Sequence, residues 1–327
     1  MNPIKLSKQL QETLINYLTT TFDVNRDGKE ADLAAFIRDS FNRPRALIAG
    51  PYLELTAPYQ TAVSLQELAD TGVLTPKLLQ MPCFQQGRPL PISVPLYSHQ
   101  AKALGKLCED KRNIVVSSGT GSGKTECFLI PILNDLLIDP SPGVRAILIY
   151  PLNALVNDQL DRLRILLRDT TITFGRYTSE LEDKAERARM QMQKEWQEME
   201  PARRELFSQY PLPNEIIGRD QIQNEGRLPQ ILITNYAMLE YLLLRPQDSP
   251  LFQQGQWRFV VLDEAHTYAG AQGIEVVLLM RRLKHRLGKK PGGMRCIATS
   301  ATLTDDDAAD ACQFAEALFG EKFDSDA

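Results

Sequence analysis

Residues 117–128 read SSGTGSGKTECF, in which Gly119, Gly121 and Gly123 alternate with small polar residues ahead of Lys124 and Thr125. Glycines let backbone N–H groups ring phosphate oxygens with no Cβ in the way, and a helix starting there adds its positive end. The stretch follows the apolar run NIVVS and leads into TECFLIPILNDLL, the strand-loop-helix setting that a phosphate loop needs. Gly119, Thr120, Gly121, Ser122 and Gly123 would form the cradle. Lys124 would reach the β- and γ-phosphates, and the Thr125 hydroxyl would hold Mg2+. Ser118 stands where the general pattern has its first glycine, a small residue for a small one.

A second group is RFVVLDEAH, an apolar run ending in Asp263 and Glu264, with His266 two positions on. Asp263 has the place and charge to ligate the magnesium, and Glu264 to orient and deprotonate an attacking water. An acidic pair after a strand also serves as an ordinary helix N-terminal signature. Two half-motifs in the right order, each at a strand's carboxyl end, favour the chemical reading. The third group is CIATSATL, where Ser300, Ala301 and Thr302 follow another apolar run.

The elements that must carry these groups are legible as an alternation. NIVVS (113–117), RAILIY (145–150), ITFGRY (172–177), QILIT (230–234), RFVVL (258–262) and RCIAT (295–299) are rich in Val and Ile. Helical stretches at 153–168, 235–244 and 270–287 separate them, and a last helix is expected over Asp305–Phe319. Such a pattern predicts an α/β fold, a parallel sheet covered by helices on both faces, with ligands at the carboxyl ends of the strands.

Residues 1–92 read differently: a first helix with Leu6, Leu10, Leu14 and Leu18 in register, a second over Ala31–Ser40, then Pro-punctuated segments. A small, mainly helical accessory domain with a boundary near 87–95 is the expectation. DVNRDG (Asp23–Gly28) copies the first half of a calcium loop, but Ala34 stands where that loop needs a bidentate glutamate, so turn chemistry is preferred.

Between the third and fourth strands, a charged insertion at 179–229 includes SELEDKAERARMQMQKEWQEME. Glu180–Lys184 and Asp183–Arg187 are spaced i,i+4, and Ala188, Met192, Trp196 and Met199 form a narrow apolar stripe. Two readings stand: a helix packed on its own domain by this stripe, or an arm that binds a partner. RRLKHRLGKK, Arg281–Lys290, likewise reads as a solvated helix end or as a phosphate-facing patch.

Bulk properties bound the rest. The 327 residues are 43% hydrophobic and 24% charged, with a net charge of −4, enough for about two domains and without a wholly basic surface. No apolar run approaches the roughly 20 residues that span a bilayer, and the N-terminus lacks a signal-peptide core. Five cysteines, odd in number and without CxxC spacing, support neither a disulfide framework nor a zinc site; a cytoplasmic setting is expected.

The order LYSHQ, SGTGSGKTE, YPLNALVNDQ, ITNYAML, DEAH, SAT resembles the first RecA-like lobe of superfamily 2 DEAD/DEAH-box helicases across roughly residues 93–320. YPLNAL, TNYAMLEYLLLRP and DEAHTYAG are most similar to the large bacterial type with a C-terminal domain of unknown function. That type includes repair helicases and the helicases of anti-phage systems such as Druantia and DISARM.

The resemblance implies a P-loop lobe over 93–327 that binds ATP and Mg2+ and moves on nucleic acid, with DNA preferred to RNA. It implies that Gln100 reads the adenine edge with Tyr97 stacking nearby, although Tyr97 reads equally well as core. Pro151, Leu152, Asn153 and Ala154, and then Thr234 and Asn235, would grip strand phosphates, although Asn153 also fits a helix N-cap. His266, Ser300 and Thr302 would couple nucleotide state to a second lobe.

The family needs that second lobe and its arginine fingers, and after Thr302 the chain has one helix and a short polar end. A piece of a longer protein is expected, weakly active alone, since arginine fingers are worth about 10³–10⁵ in rate. Its partners would be nucleic acid, the second lobe and further domains, and defence-system proteins, with no membrane. Two alternatives stand beside the motor: a nucleotide-holding scaffold without hydrolysis, and a duplex translocase that does not unwind.

Overall fold

In the computed structural model the described residues are 3–22, 24, 31–43, 46, 58–87, 91–119, 121–204, 209–223, 226–252, 257–301 and 308–324. Thr120, Thr302 and all of the Asp23–Gly28 turn except Val24 fall outside them. The chain divides into two compact units, 1–58 and 59–327.

The first unit pairs helix α1 (Pro3–Thr21) with α2 (Ala31–Asn42). Gln11 donates to the Phe41 carbonyl at 3.1 Å, and Ile15 and Ala34 are buried. The face that packs is therefore not the leucine stripe: Leu6, Leu10 and Leu14 are 36%, 49% and 41% exposed.

The division at residue 58 lies well before the boundary suggested by the prolines near 87–95. Residues 61–85 fold into strand β1 (Thr61–Ser64) and three short helices, α3 (Leu65–Asp70), α4 (Pro76–Leu79) and α5 (Pro82–Gln85). Their Leu65, Leu74, Leu78 and Phe84 join the same apolar cluster as Leu104, Leu133 and Leu163. Burial of this kind is worth about 1.5–3 kcal/mol for each large side chain, enough to bind the segment to the lobe despite its proline punctuation. Asn134 accepts from the Thr75 backbone N–H at 2.7 Å, a further tie.

Strand β2 (Pro95–Tyr97) pairs antiparallel with β1 and opens helix α6 (Ser98–Cys108). The strands β3 (Ile114–Ser117), β4 (Ala146–Tyr150), β5 (Phe174–Tyr177), β6 (Glu215–Ile216), β7 (Ile231–Asn235), β8 (Phe259–Leu262) and β9 (Arg295–Ser300) make one parallel sheet. Its order is β3-β9-β8-β4-β7-β5-β6. Helices α7 (Lys124–Ile138), α8 (Asn153–Leu167), α9 (Ala185–Glu198), α10 (Pro201–Arg204), α11 (Arg219–Gln223), α12 (Tyr236–Leu244), α13 (Gly270–Arg286) and α14 (Ala308–Phe319) complete the unit.

The apolar runs are continuous because both faces of the sheet are covered. In β4, Ala146, Leu148 and Tyr150 join one cluster with α6, α7 and α8, while Ile147 and Ile149 join the other with α12, α13 and α14. Phe259 and Val261 of β8 divide from Val260 and Leu262 in the same way. This is the α/β architecture the alternation predicts. The two-residue strand β6 lies inside the insertion, where nothing in the sequence marks it.

The insertion resolves in favour of packing. Ala188 and Met192 are buried against Tyr210 and Ile217, with Trp196 and Met199 alongside. The i,i+4 ion pairs do not form, because α9 begins only at Ala185. Glu180 instead meets Arg176 at 3.0 Å, and Asp183 meets Arg219 at 2.6 Å. The basic cluster ends α13, 17 residues and about 25 Å from where that helix leaves the DEAH loop. Its Lys284 donates to the Phe319 carbonyl at 2.6 Å and pairs with Glu321, contacts within the chain that suit the helix-end reading for that residue.

All five cysteines are free. Burial pushes the thiols of Cys108, Cys127 and Cys296 up to about 12 and that of Cys83 to about 11. Since the thiolate is the nucleophile, alkylation of the native protein by iodoacetamide at pH 8 is expected to leave these four nearly unlabelled. Mass spectrometry after denaturation should then show all of them labelled.

Candidate active site

Among the described residues, the glycine loop, the acidic pair and the SAT segment lie on one edge of the sheet, the carboxyl ends of its strands. Reading across that edge, β3 delivers the glycine loop, β9 Ser300, β8 Asp263, β4 Pro151 and β7 Asn235. Consecutive strands β3 and β4 are separated by β9 and β8, which opens the crevice where open α/β sheets bind ligands.

The loop is held open by its glycines. Gly121 and Gly123 have φ of +77° and +78°, the left-handed region where a side chain is strained. A Cβ at Gly123 would also collide with Gln100 Nε2. Gly123→Ala is therefore expected to abolish detectable nucleotide binding while leaving the sheet folded. Titration with a fluorescent ATP analogue, beside a circular dichroism melt, checks both parts.

Lys124 Nζ donates to the Ser118 carbonyl at 3.0 Å, bridging the loop. The hydroxyls of Ser118 and Ser122 are 2.6 Å apart. Ser118 N–H donates to the Ser300 carbonyl at 3.2 Å, so the loop and the SAT segment are joined directly.

Asp263 and Glu264 are organised by a residue the sequence reading passed over, Thr299. Its hydroxyl donates to Asp263 Oδ1, and its oxygen accepts from the Glu264 backbone N–H at 3.2 Å. The signal was present: a hydroxyl inside an apolar strand, directly before Ser300. Burial raises the Asp263 carboxyl above the usual range; Thr299 opposes this, the Glu264 charge adds to it, and Lys124 opposes it.

Glu264 has φ +50° and ψ +46°, a left-handed conformation that costs a non-glycine residue about 1–3 kcal/mol and clusters at functional sites. Its Oε2 is buried without a hydrogen bond, 3.4 Å from His266 Nδ1. His266 Nδ1 lies 3.3 Å from Ser300 Oγ. Lys124, Asp263, Glu264, His266 and Ser300 are thus brought together.

Gln100 is 2% exposed; its Nε2 donates to the Gly123 carbonyl at 3.2 Å and its Oε1 accepts from Tyr97 N at 3.0 Å. The carboxamide braces the loop. Tyr97 is not core: it is 37% exposed, with its ring 5.2 Å from Tyr59 and 5.8 Å from His99. His99 Nε2 lies 2.9 Å from the Ser122 carbonyl, and a Cβ on Gly119 would sit 3.2 Å from the Tyr59 hydroxyl. Tyr59 could not have been read from the sequence, because it reaches the loop from 60 residues before Gly119, through the β1–β2 pairing.

The expected strand-gripping residues divide. Leu152 is exposed, Pro151 half-buried and Ala154 exposed at the start of α8. Asn153 does not cap that helix; its Oδ1 accepts from Asn235 Nδ2 at 2.6 Å and its Nδ2 donates to Glu180. Asn235 is the N-cap of α12, accepting from Met238 N–H at 2.7 Å. Thr234 departs from its expected role: it is fully buried, and its hydroxyl donates to the Tyr177 carbonyl at 2.6 Å, which ties β7 to β5.

The pattern of the DEAD/DEAH box helicase family matches residues 97–311. The chain belongs to that family. Druantia protein DruE of Escherichia coli (strain UMEA 4076-1) is 33% identical over 90% of this chain and 20% of its own length. The uncharacterized ATP-dependent helicase MJ1574 of Methanocaldococcus jannaschii is 27% identical over 70% of this chain and 28% of its length. This helicase chain therefore spans less than a third of either relative. The DUF1998 helicase MrfA, in its crystal structure with DNA and AMPPNP, superposes with a TM-score of 0.54 at 22% identity, covering 81% of this chain and 30% of that one. The DEAD-box helicase Mss116, bound to ssRNA and UDP-BeF, gives 0.54 at 19%, over 81% of this chain and 45% of that one. The likeness to these two is one of fold, a RecA-like helicase lobe. Among the described residues no helix is long and apolar enough to cross a membrane.

Proposed function

We propose that this lobe binds MgATP and that its complete protein couples ATP hydrolysis to movement on DNA in genome defence. One observation carries the reading: Lys124, Asp263, Glu264 and Ser300 share a sheet edge with Asn153 and Asn235. Nucleotide and nucleic acid would thus meet neighbouring stretches of the same edge.

ATP would enter with its base against the exposed rings of Tyr97 and Tyr59, next to the Gln100 carboxamide. Its phosphates would replace the Ser118 carbonyl as the partner of Lys124. Thr125 and Asp263 would hold Mg2+, which supplies charge neutralisation at the β- and γ-oxygens. The residues suit a cation, because burial penalises the Asp263 carboxylate and leaves Glu264 Oε2 without a hydrogen bond. Glu264, aimed by its left-handed backbone, would take the proton of the attacking water. His266 and Ser300 would report the outcome through the Ser118–Ser300 link.

DNA is chosen over RNA because MrfA, a relative in fold, was crystallised on DNA. ATP turnover by the complete native protein, titrated with single-stranded DNA and separately with RNA, tests this. DNA is expected to raise turnover and RNA to leave it near the nucleic-acid-free rate. Equal stimulation by both would overturn the choice of DNA, and none by either would overturn the motor.

A further inference from the structure

Arg162 belongs to no motif and Glu126 only closes SGTGSGKTE without an assigned role, yet the fold joins them. Glu126 lies two residues beyond Lys124 on α7 and is 6% exposed. Arg162, on α8, is hydrogen-bonded and ion-paired through Nη2 to Glu126 Oε1. The other carboxylate oxygen faces the loop, since a Cβ on Gly123 would come 3.1 Å from Glu126 Oε2. The pair thus rests against the residue preceding Lys124.

At its other end α8 begins with Asn153, which is bound to Asn235 and Glu180. Arg162 lies nine residues further along the same unbroken helix, about 13 Å at the usual rise. A helix moves nearly as a rigid rod, so a shift at Asn153 displaces the guanidinium.

The pair therefore lies between the Asn153 end of α8 and Gly123, with one contact toward each. A shift of α8 would move Arg162 and, through it, the Glu126 carboxylate beside Gly123.

We infer that Arg162 is a positioning residue that transmits occupancy of the nucleic-acid end of α8 to the phosphate loop through Glu126. The inference rests on the DNA-stimulated hydrolysis proposed above. The test reads ATP turnover of the complete native protein with and without single-stranded DNA. The proteins compared are the wild type, Glu126→Gln, Arg162→Gln, the double variant and Arg162→Lys. The double variant leaves no unpaired charge in the interior and so guards against misfolding.

Stimulation by DNA is expected to fall about fivefold or more in the double variant, within the usual range of coupling between sites. DNA-free turnover and the KM for ATP should stay near wild type. The double variant should lose no more than the worse single one, and Arg162→Lys should recover part of the ratio. A wild-type stimulation ratio in the double variant overturns the inference. A parallel loss of melting temperature, KM and DNA-free turnover at an unchanged ratio also overturns it, leaving a structural ion pair. Absence of stimulation in the wild type overturns the functional reading and the inference together, and is seen before any substitution is made.

Discussion

Glu264→Gln is expected to lower DNA-stimulated ATP turnover by about 10²–10⁴ while nucleotide affinity is retained, the loss typical of a removed general base. The amide keeps the size of the side chain, and the left-handed backbone is held by the Thr299 contact to Glu264 N–H, which the substitution does not touch. Lys124→Ala should differ in kind. It removes the ammonium that bridges to Ser118 and would contact the phosphates, so affinity and turnover fall together, the latter by about 10²–10³. Isothermal titration with a non-hydrolysable analogue, set beside steady-state turnover, separates the two patterns. Equal turnover in wild type and Glu264→Gln would remove Glu264 from the chemistry.

The largest effect on stability is expected at Arg164 on α8. Its Nε donates to both oxygens of Glu215 at 3.1 Å, its Nη2 donates at 2.6 Å, and Tyr210 lies under its guanidinium at 5.0 Å. Burial works against the Arg164 charge and the Glu215 carboxylate more than offsets it, holding the guanidinium above its ordinary value. Arg164→Leu would strand the Glu215 carboxylate, 2% exposed, in the interior. Removing one partner of a buried pair costs about 3–5 kcal/mol, so the melting midpoint should fall by about 10 °C. Arg164→Leu combined with Glu215→Leu should recover most of the loss, because no buried charge is left alone and Asp161, its other partner, is open to solvent. A double variant as unstable as the single would mean that packing of the long arginine stem carries the effect.

This pair also shows what the sequence could not disclose. Arg164 and Glu215 are 51 residues apart, and Glu215 lies in a two-residue strand inside a charged insertion. No periodicity marks a strand so short. By contrast, the six Val- and Ile-rich runs were legible because both faces of a covered parallel sheet must be apolar, and each strand falls within about two residues of its run. The glycine loop and acidic pair were legible because the chemistry expected of them fixes residue type and spacing locally.

What escaped depends on distant chain. Tyr59 reaches the loop through a strand pairing that its Pro-rich surroundings conceal. Thr234, matched to a strand-gripping role by its motif, proves to be a buried tie to Tyr177. The boundary expected near 87–95 and the division at residue 58 differ for a related reason. Prolines mark turns, and the burial of Leu65, Leu74 and Phe84 with the main sheet decides to which body a segment belongs. The leucines of α1 make the converse point, since an apolar stripe at helical spacing does not guarantee that the stripe is covered.

The claim on which the functional reading stands is that nucleotide and nucleic acid bind adjacent parts of one sheet edge and sense each other. The direct measurement is the affinity of the complete Glu264→Gln protein for a fluorescent single-stranded DNA, with and without saturating ATP and Mg2+. Such coupling typically changes affinity by about 5–150-fold, and by linkage DNA must change the affinity for ATP by the same factor. A DNA affinity that is unchanged by ATP would contradict the claim.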